Sequence, residues 1–438
     1  MVSNPTRSPG ETTTTVSRRT ALQLTGGLVA LSLAGCLGSA ETETFDHEDW
    51  LSLGHNNGNT GKTSVQGPSD PDERWSVDTE PITTAPVVAD DVVYAGSADG
   101  TLYALDLETG DELWTYSVGE DIYYTPTIAE DTIYVADTDT VHAVTTDGDE
   151  EWTADADGRI HSACTVSDGR LHVSTDVRTS ILTLEADSGD ELWREPGAGL
   201  GSTPAVVDET VYSVGQIIEF DEDGEPEDSF QGAVALEAES GERQWVYDEW
   251  DSDGGLPMSS PAVDDERLYV GTGSGERPLL ALGRDSGEEQ WRFDAPELEA
   301  AHVSNAPPVV DGDTVYVSVS AETSSDTLEL VDDEQDPSSI VALEAETGES
   351  RWVSGTDELG PAVAMGVDVL YRHTFGQVTA LDPDNGEPIW THDSEFGLPW
   401  EEVDGVDSVE LTSGTQPAVV DETVIATTQS GGVYAIGE

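Results

Sequence analysis

Basic residues are scarce in this 438-residue chain: 16 lysines and arginines stand against 91 aspartates and glutamates, a formal net charge of −75. Lys62 is the single lysine. Such a balance leaves no basic stripe to follow a phosphate backbone, and so excludes nucleic acid as a partner. Two cysteines, Cys36 and Cys164, are too few for a disulfide framework. No Cys-x-x-Cys-His, His-Glu-x-x-His or Gly-x-Ser-x-Gly string occurs, which removes the haem, zinc-protease and serine-hydrolase signatures. Long apolar runs are missing too. The longest, Leu24–Ala34, falls short of the roughly 20 residues a membrane helix needs. After residue 36 no stretch carries a sustained helical period.

What the chain has in quantity is a repeated phrase ending in tryptophan. Its clearest copy is Ala104-Leu105-Asp106-Leu107-Glu108-Thr109-Gly110-Asp111-Glu112-Leu113-Trp114. Other copies end at Trp152, Trp193, Trp245, Trp291, Trp352 and Trp390, and a last one begins at Ala435 and meets the C-terminus before its Trp. The missing residue lies at the other end, as Trp75. Each unit also opens on a short β-rich run, as in Ala85-Pro86-Val87-Val88 followed by Asp90-Asp91 and Val92-Val93-Tyr94-Ala95-Gly96. Trp positions lie 38 to 41 residues apart in plain units and 46 to 61 apart where loops are enlarged. A period of this size, with alternating Val/Ile/Tyr runs between Asp, Gly and Thr turns, predicts four-stranded propeller blades. A solenoid needs distinct capping units, whereas a unit split between the two termini predicts a closed ring. The expected fold is therefore all-β, an eight-bladed propeller closed by the strand around Trp75. Its eight tryptophans act as blade-docking residues.

At these residues the chain resembles the pyrroloquinoline quinone (PQQ) repeat family, whose docking phrase A-x-D-x-x-T-G-x-x-x-W is met in full at Ala104–Trp114. Ala342–Trp352 matches it with Glu344 for Asp. The opening from Trp50 through Asn59-Thr60-Gly61 resembles that family's lead-in, so the likeness covers roughly residues 50–438. Two branches share the repeat: quinoprotein alcohol dehydrogenases, and non-enzymatic envelope lipoproteins of the BamB type. The enzymes, as the resemblance has it, hold PQQ with calcium or another metal, use an Asp base, and usually carry a disulfide of adjacent cysteines. This chain has no adjacent cysteines, and no position matches the metal ligands or the base, so no cofactor is expected and the character is closer to BamB. One departure stands out. The family often places Lys or Arg after the Thr-Gly turn; here the position holds Asp111, Asp149, Asp190, Glu242, Glu288, Glu349 or Glu387.

The acids are dispersed among apolar strands, unlike a disordered acidic tail. This implies a fold working in high salt, where the Debye length is about 3 Å at 1 M, and hence a haloarchaeon-like source. Residues 1–35 read as an export leader: Ser17-Arg18-Arg19-Thr20-Ala21-Leu22 resembles a twin-arginine signal, and Leu33-Ala34-Gly35-Cys36 resembles a lipobox. Cys36 is then the lipidated residue, residues 36–49 a tether, and residues 50–438 one propeller domain outside the cell. Cys164 reads as a buried apolar residue.

Gly61-Lys62-Thr63 lacks the upstream glycine of a P-loop, and the calcium-loop string from Glu219 to Gly224 has Phe230 where its last ligand belongs. His142 and His172 read as strand residues. In a four-stranded blade the first-to-second and third-to-fourth turns share one face, and here they are tight. The enlarged segments, about 215–232, 246–259, 293–305, 318–339 and 391–415, all belong to the other face. Function in repeat proteins gathers on the loop-rich face. Candidate binding residues there are Trp250, Phe396 and Trp400 on the insertions. Tyr123, Tyr124, Arg159, His161, Met258, His302, Asn305 and Gln416 lie just ahead of the first strands. The expected role is a membrane-anchored scaffold for an envelope or secreted protein. A PQQ-dependent dehydrogenase and a sugar- or small-ligand-binding surface protein are the alternatives.

Overall fold

The computed structural model describes residues 49–438, apart from 70, 83, 200, 222–223, 251–258, 273–278, 294–300, 304–305, 322–337, 357–361, 375, 395–414 and 429–430. The side chains of 301–303 and 320–321 are likewise not described. The chain divides into units 1–44 and 45–438, and only the second carries described residues. The leader and Cys36 lie outside them.

Among the described residues all regular structure is strand, arranged as seven sheets of four antiparallel strands and one of five. The first blade comprises Val87–Ala89, Val92–Gly96, Thr101–Asp106 and Glu112–Ser117. Seven more blades follow, with inner strands Thr127–Ala129, Thr165–Ser167, Ala205–Val207, Ala262–Val263, Val309–Asp311, Ala362–Met365 and Ala418–Val420. Each inner strand touches the next, and the eighth touches the first, so the ring is closed. The eighth blade takes its outer strand from the far end of the chain: Asp72–Asp78 pairs with Gly432–Gly437, with Trp75 opposite Ala435. The protein is an eight-bladed β-propeller.

Local chemistry explains the repeat. Several first-to-second turns are two-residue turns with consecutive positive φ, as at Asp90 and Asp91 (48° and 65°), Asp208 and Glu209 (48° and 61°), and Asp421 and Glu422 (38° and 59°). That left-handed geometry matches the twist of a tight hairpin, and Asp tolerates it better than most residues. In the docking phrase, Asp106 Oδ1 accepts the Glu108 and Thr109 amides and the Thr109 hydroxyl. Gly110 then turns at φ +73°, and a Cβ there would lie 2.7 Å from the Trp75 ring of the neighbouring blade. Trp75 Nε1 donates to Leu107 O at 2.8 Å. The same indole-to-carbonyl bond joins every blade to the next, from Trp114 to Thr146, Trp152 to Ala186, and Trp291 to Ala345 (3.1, 2.9 and 2.9 Å). At the seam, where the split unit has no Thr-Gly turn, Trp390 donates to Pro68 O at 3.1 Å instead. All eight tryptophans are therefore inter-blade staples, and the acids after the Thr-Gly turns are exposed to solvent.

The enlarged segments extend the blades. In the fourth blade Thr210–Phe220 and Pro226–Glu237 form a long hairpin paired out to Phe220 and Pro226. Arg178 of the third blade braces its tip, lying 4.2 Å over the Phe220 ring and donating to Gly224 O at 2.7 Å. In the sixth blade an added strand, Ala301–Val303, pairs with Val319–Ala321.

Candidate functional site

The inner edge of each blade would expose unpaired amides to a central channel, an arrangement that needs partners. The lead-in segment supplies them. Trp50 exchanges two backbone bonds with Val88 of the first blade (2.8 and 2.7 Å), and Leu51 O accepts Ile128 N of the second (2.8 Å). Asn57, Gly58 and Thr60 carbonyls then accept Val206, Val263 and Val310 amides of the fourth, fifth and sixth blades (2.7, 2.8 and 2.8 Å). Gly61 O accepts Met365 N of the seventh at 2.8 Å, and Gln66 O accepts Glu422 N of the eighth at 2.9 Å. The segment is thus a belt inside the ring. Asn59 reaches across it, donating to Pro204 O and Pro261 O (3.5 and 3.2 Å). Lys62 pairs with Asp311 of the sixth blade. Two glycines make the belt feasible. Gly54 and Gly61 have φ of +71° and +66°, and a Cβ would lie 2.5 Å from Asn59 Cα or 2.7 Å from Val309 Cγ2.

Both ends of the belt sit at first-to-second turns. Asp49 Oδ1 accepts Asp90 N in the first blade (3.3 Å), and Val65 O accepts Val367 N in the seventh (3.1 Å). The described chain therefore begins on the face of tight turns, and the belt reaches through the ring as far as Pro204, Pro261 and Gln416, at the starts of the first strands. The opposite face carries the long hairpin and the added strand.

On that loop-bearing face the structure brings four expected residues together. Ile122 and Ile160 are fully buried and pin the links into the second and third blades: Ile160 bridges Thr175, and its amide donates to Thr138 O of the second blade at 2.9 Å. In an extended link the residues flanking a buried one point the other way. Tyr123 is accordingly 45% exposed, Arg159 is exposed and His161 is half-buried; Tyr124, two residues beyond Ile122, is half-buried against the core cluster that contains Ile160. Asp176 fixes the link from the third blade, its carboxylate accepting Arg159 N at 2.8 Å and its amide donating to Arg159 O at 2.9 Å. The four lie close enough for the Arg159 charge to act on the other three. Burial lowers the His161 pKa from its usual value, the Asp176 charge opposing and the Arg159 charge reinforcing this, so the ring is neutral at neutral pH. Tyr123 is raised by its hydrogen bond to Asp121, and Tyr124 by burial.

Other expected site residues fall elsewhere. Gln416 is not a mouth residue open to a ligand. It is 2% exposed and clamps the belt, accepting Gly54 N at 2.8 Å and donating to Val363 O at 2.9 Å. Both ends of its amide are thereby used internally. Trp250 is half-buried, packing edge-on to Tyr247 at 6.4 Å and against the core between the fourth and fifth blades, instead of standing free as a contact aromatic. His302 lies in the added strand, with its side chain outside the description. Met258, Asn305, Phe396 and Trp400 lie outside the described residues. His142 and His172 stand within strands, and Cys164 is buried and free. Sequence reasoning missed the belt and the bracing role of Asp176. The one available signal was the Gly-x-x-x-x-Asn-Thr-Gly string from Gly54 to Gly61, whose glycines mark forced turns.

An eight-bladed ring whose tryptophans dock onto the neighbouring blade, seven of them against a turn glycine, defines the class of PQQ-type propellers. Within it, residues 63–159, 137–327 and 279–437 match the family model described as outer membrane protein assembly factor BamB, and the chain belongs to that family. BamB from Burkholderia pseudomallei is 28% identical over 112 residues, which cover 25% of this chain and 29% of that protein. The serine/threonine-protein kinase AfsK of Streptomyces coelicolor is 28% identical over 163 residues, 36% of this chain and 17% of the kinase. The chain thus spans less than a third of the length of either curated relative. In fold it is similar to BamB from Moraxella catarrhalis (TM-score 0.60, 16% identity, 84% of this chain and 100% of that one). It is similar also to a europium-containing methanol dehydrogenase (TM-score 0.66, 13% identity, 90% and 98%).

The dehydrogenase branch raises the question of a metal-held quinone. Among the described residues no three His, Cys, Asp or Glu side chains stand together as a metal-holding group.

Proposed function

We propose that this protein is a polypeptide-binding scaffold of the cell envelope, exported by the twin-arginine route and lipid-anchored through Cys36. The observation that carries the reading is the asymmetry of the ring. One face has only tight turns and meets the chain at Asp49; the long hairpin and the added strand stand on the other. Membership of the BamB family supports a partner that is itself an envelope or secreted polypeptide. The acidic body of net charge −75 supports lipid, and not charge, as the anchor, since anionic headgroups repel it at low salt.

Cross-linking in intact cells at native salt tests this. The expected result is a discrete adduct with one envelope or secreted protein, lost when the long hairpin 215–232 is shortened to a tight turn. Absence of any adduct, together with dye-linked dehydrogenase activity after PQQ and calcium are added, would place the protein with the enzymes instead.

A further inference from the structure

Cations are precious in a chain of net charge −75, and nearly all the described ones are used internally. Arg194, Arg243, Arg267, Arg284, Arg292 and Arg351 sit in ion pairs with carboxylates. Lys62 does the same, while Arg74, Arg170, Arg178 and Arg372 donate to carbonyls. Arg159 is different. Its backbone is held at both ends by Asp176, yet among the described residues its guanidinium has no carboxylate, carbonyl or hydroxyl acceptor. The neutral His161 ring, next to Ile160 on the link, and the Tyr124 hydroxyl, whose ring packs against the core cluster containing Ile160, also lack internal hydrogen-bond partners among the described residues. The exposed Tyr123 ring precedes Tyr124 on the link into the second blade, its own hydroxyl spent on Asp121.

We propose that Arg159, His161 and Tyr124 form a carboxylate-binding site on the loop-bearing face, with Tyr123 as the apolar wall beside it. The site rests on the scaffold reading and gives it a contact chemistry. A guanidinium offers paired N–H donors that match a carboxylate in a bidentate bond, stronger than neutral hydrogen bonds. The buried Ile122 and Ile160 on either side fix the links that carry these groups, so little ordering is left for the moment of binding. Free carboxylates would be repelled by the acidic body at low salt. At 1 M salt, with a screening length of about 3 Å, the distant charges fade and only the contact pair remains. The carboxylate has two sources: the C-terminus of a polypeptide, or a small free acid.

The test is fluorescence anisotropy in 3 M KCl with fluorescein-labelled Gly-Gly-Ala-Phe as the free acid, its C-terminal amide, and unlabelled succinate as competitor. The free acid is expected to bind saturably, the amide at least tenfold more weakly, and Arg159→Gln to lose at least tenfold for the free acid alone. Tyr124→Phe is expected to lose severalfold. Near-ultraviolet circular dichroism of Arg159→Gln should match the wild type, because its guanidinium makes no contact that folding needs. Succinate that displaces the peptide with Arg159-dependent affinity equal to the peptide's own assigns the small acid as the source; much weaker competition assigns the polypeptide terminus. Equal binding of acid and amide, no binding of either, or an Arg159→Gln protein that binds like wild type overturns the site. A cross-linked envelope partner found alongside that negative result leaves the scaffold reading intact and removes only this contact.

Discussion

Trp75 closes the ring without a covalent link, so its removal tests the architecture most directly. The side chain is 8% exposed, lies flat against Gly110 and donates its indole N–H to Leu107 O at 2.8 Å. Truncating a buried Trp to Ala costs about 3–5 kcal/mol in packing and cavity terms. The lost hydrogen bond, which strands a carbonyl, adds about 1 kcal/mol. Trp75→Phe keeps most of the apolar ring but not the donor, and should cost about 1–2 kcal/mol. Urea is the denaturant of choice, because guanidinium chloride would change the ionic strength along with the denaturing power; KCl is held at 3 M throughout. With a denaturant slope at or above the few kcal/mol per molar typical of small domains, Trp75→Ala should lower the midpoint by on the order of 1 M. Far-ultraviolet circular dichroism and tryptophan fluorescence should report that shift together, since each inner strand leans on both neighbours around the ring. A shift below about 0.2 M would refute the ring-closing role. So would a Trp75→Phe protein as unstable as Trp75→Ala, which would mean that packing of the six-membered ring contributes nothing.

Three further outcomes follow from the same structure. Dialysis from 3 M to 0.1 M KCl lengthens the screening length to about 10 Å, and the protein of net charge −75 should lose cooperative β structure by circular dichroism; full retention in dilute buffer would contradict the high-salt reading. Gln416→Ala frees Gly54 N and Val363 O inside the ring and should destabilise by about 2–3 kcal/mol in the same urea assay, with proteolysis near residue 54 rising if the belt loosens. His172, pushed down to about 3 by burial and by the Arg170 charge, and His373, pushed down to about 4 chiefly by burial, stay neutral in the folded state. Protons therefore bind the unfolded chain preferentially below its histidine pKa of about 6.5. The stability these two contribute is complete above that pH and falls as pH drops from about 6.5 toward about 4 for His373 and about 3 for His172. His172→Tyr, which restores the residue that Tyr94, Tyr134 and Tyr212 represent in their blades against Trp114, Trp152 and Trp245, should flatten the acid limb of a stability–pH profile. An unchanged profile would count against the buried-imidazole account.

Much of the molecule was legible in the chain because its instructions are local and repeated. The turn of the docking phrase needs only short polar side chains and a glycine at positive φ, so it announces itself in the seven unbroken copies, from Gly110 to Gly386. The Trp that follows is spaced to land on the next copy's glycine, and the broken copy at Ala435 located the closing strand around Trp75. The tight turns and the enlarged loops could likewise be sorted by face from strand parity alone. The candidate site was half legible for the same reason: Tyr123, Tyr124, Arg159 and His161 could be placed on the links ahead of the first strands, which is where the structure has them. The belt was not legible. Its bonds run from backbone carbonyls at Trp50 to Gln66 into seven blades spread along the whole chain, and backbone groups are the same in every residue. Gln416 looked like a mouth residue from its position, and only packing showed both ends of its amide consumed. That Arg159 alone among the described cations keeps an unengaged guanidinium depended on where each of the others found an acid or a carbonyl, a property of distances in space and not of order along the chain. Sequence thus determined the blade, its number and its closure, which rest on short-range geometry repeated eight times. Tertiary structure decided what fills the axis, how Gln416 clamps it and which charge is left unengaged, because those depend on contacts between residues far apart along the chain.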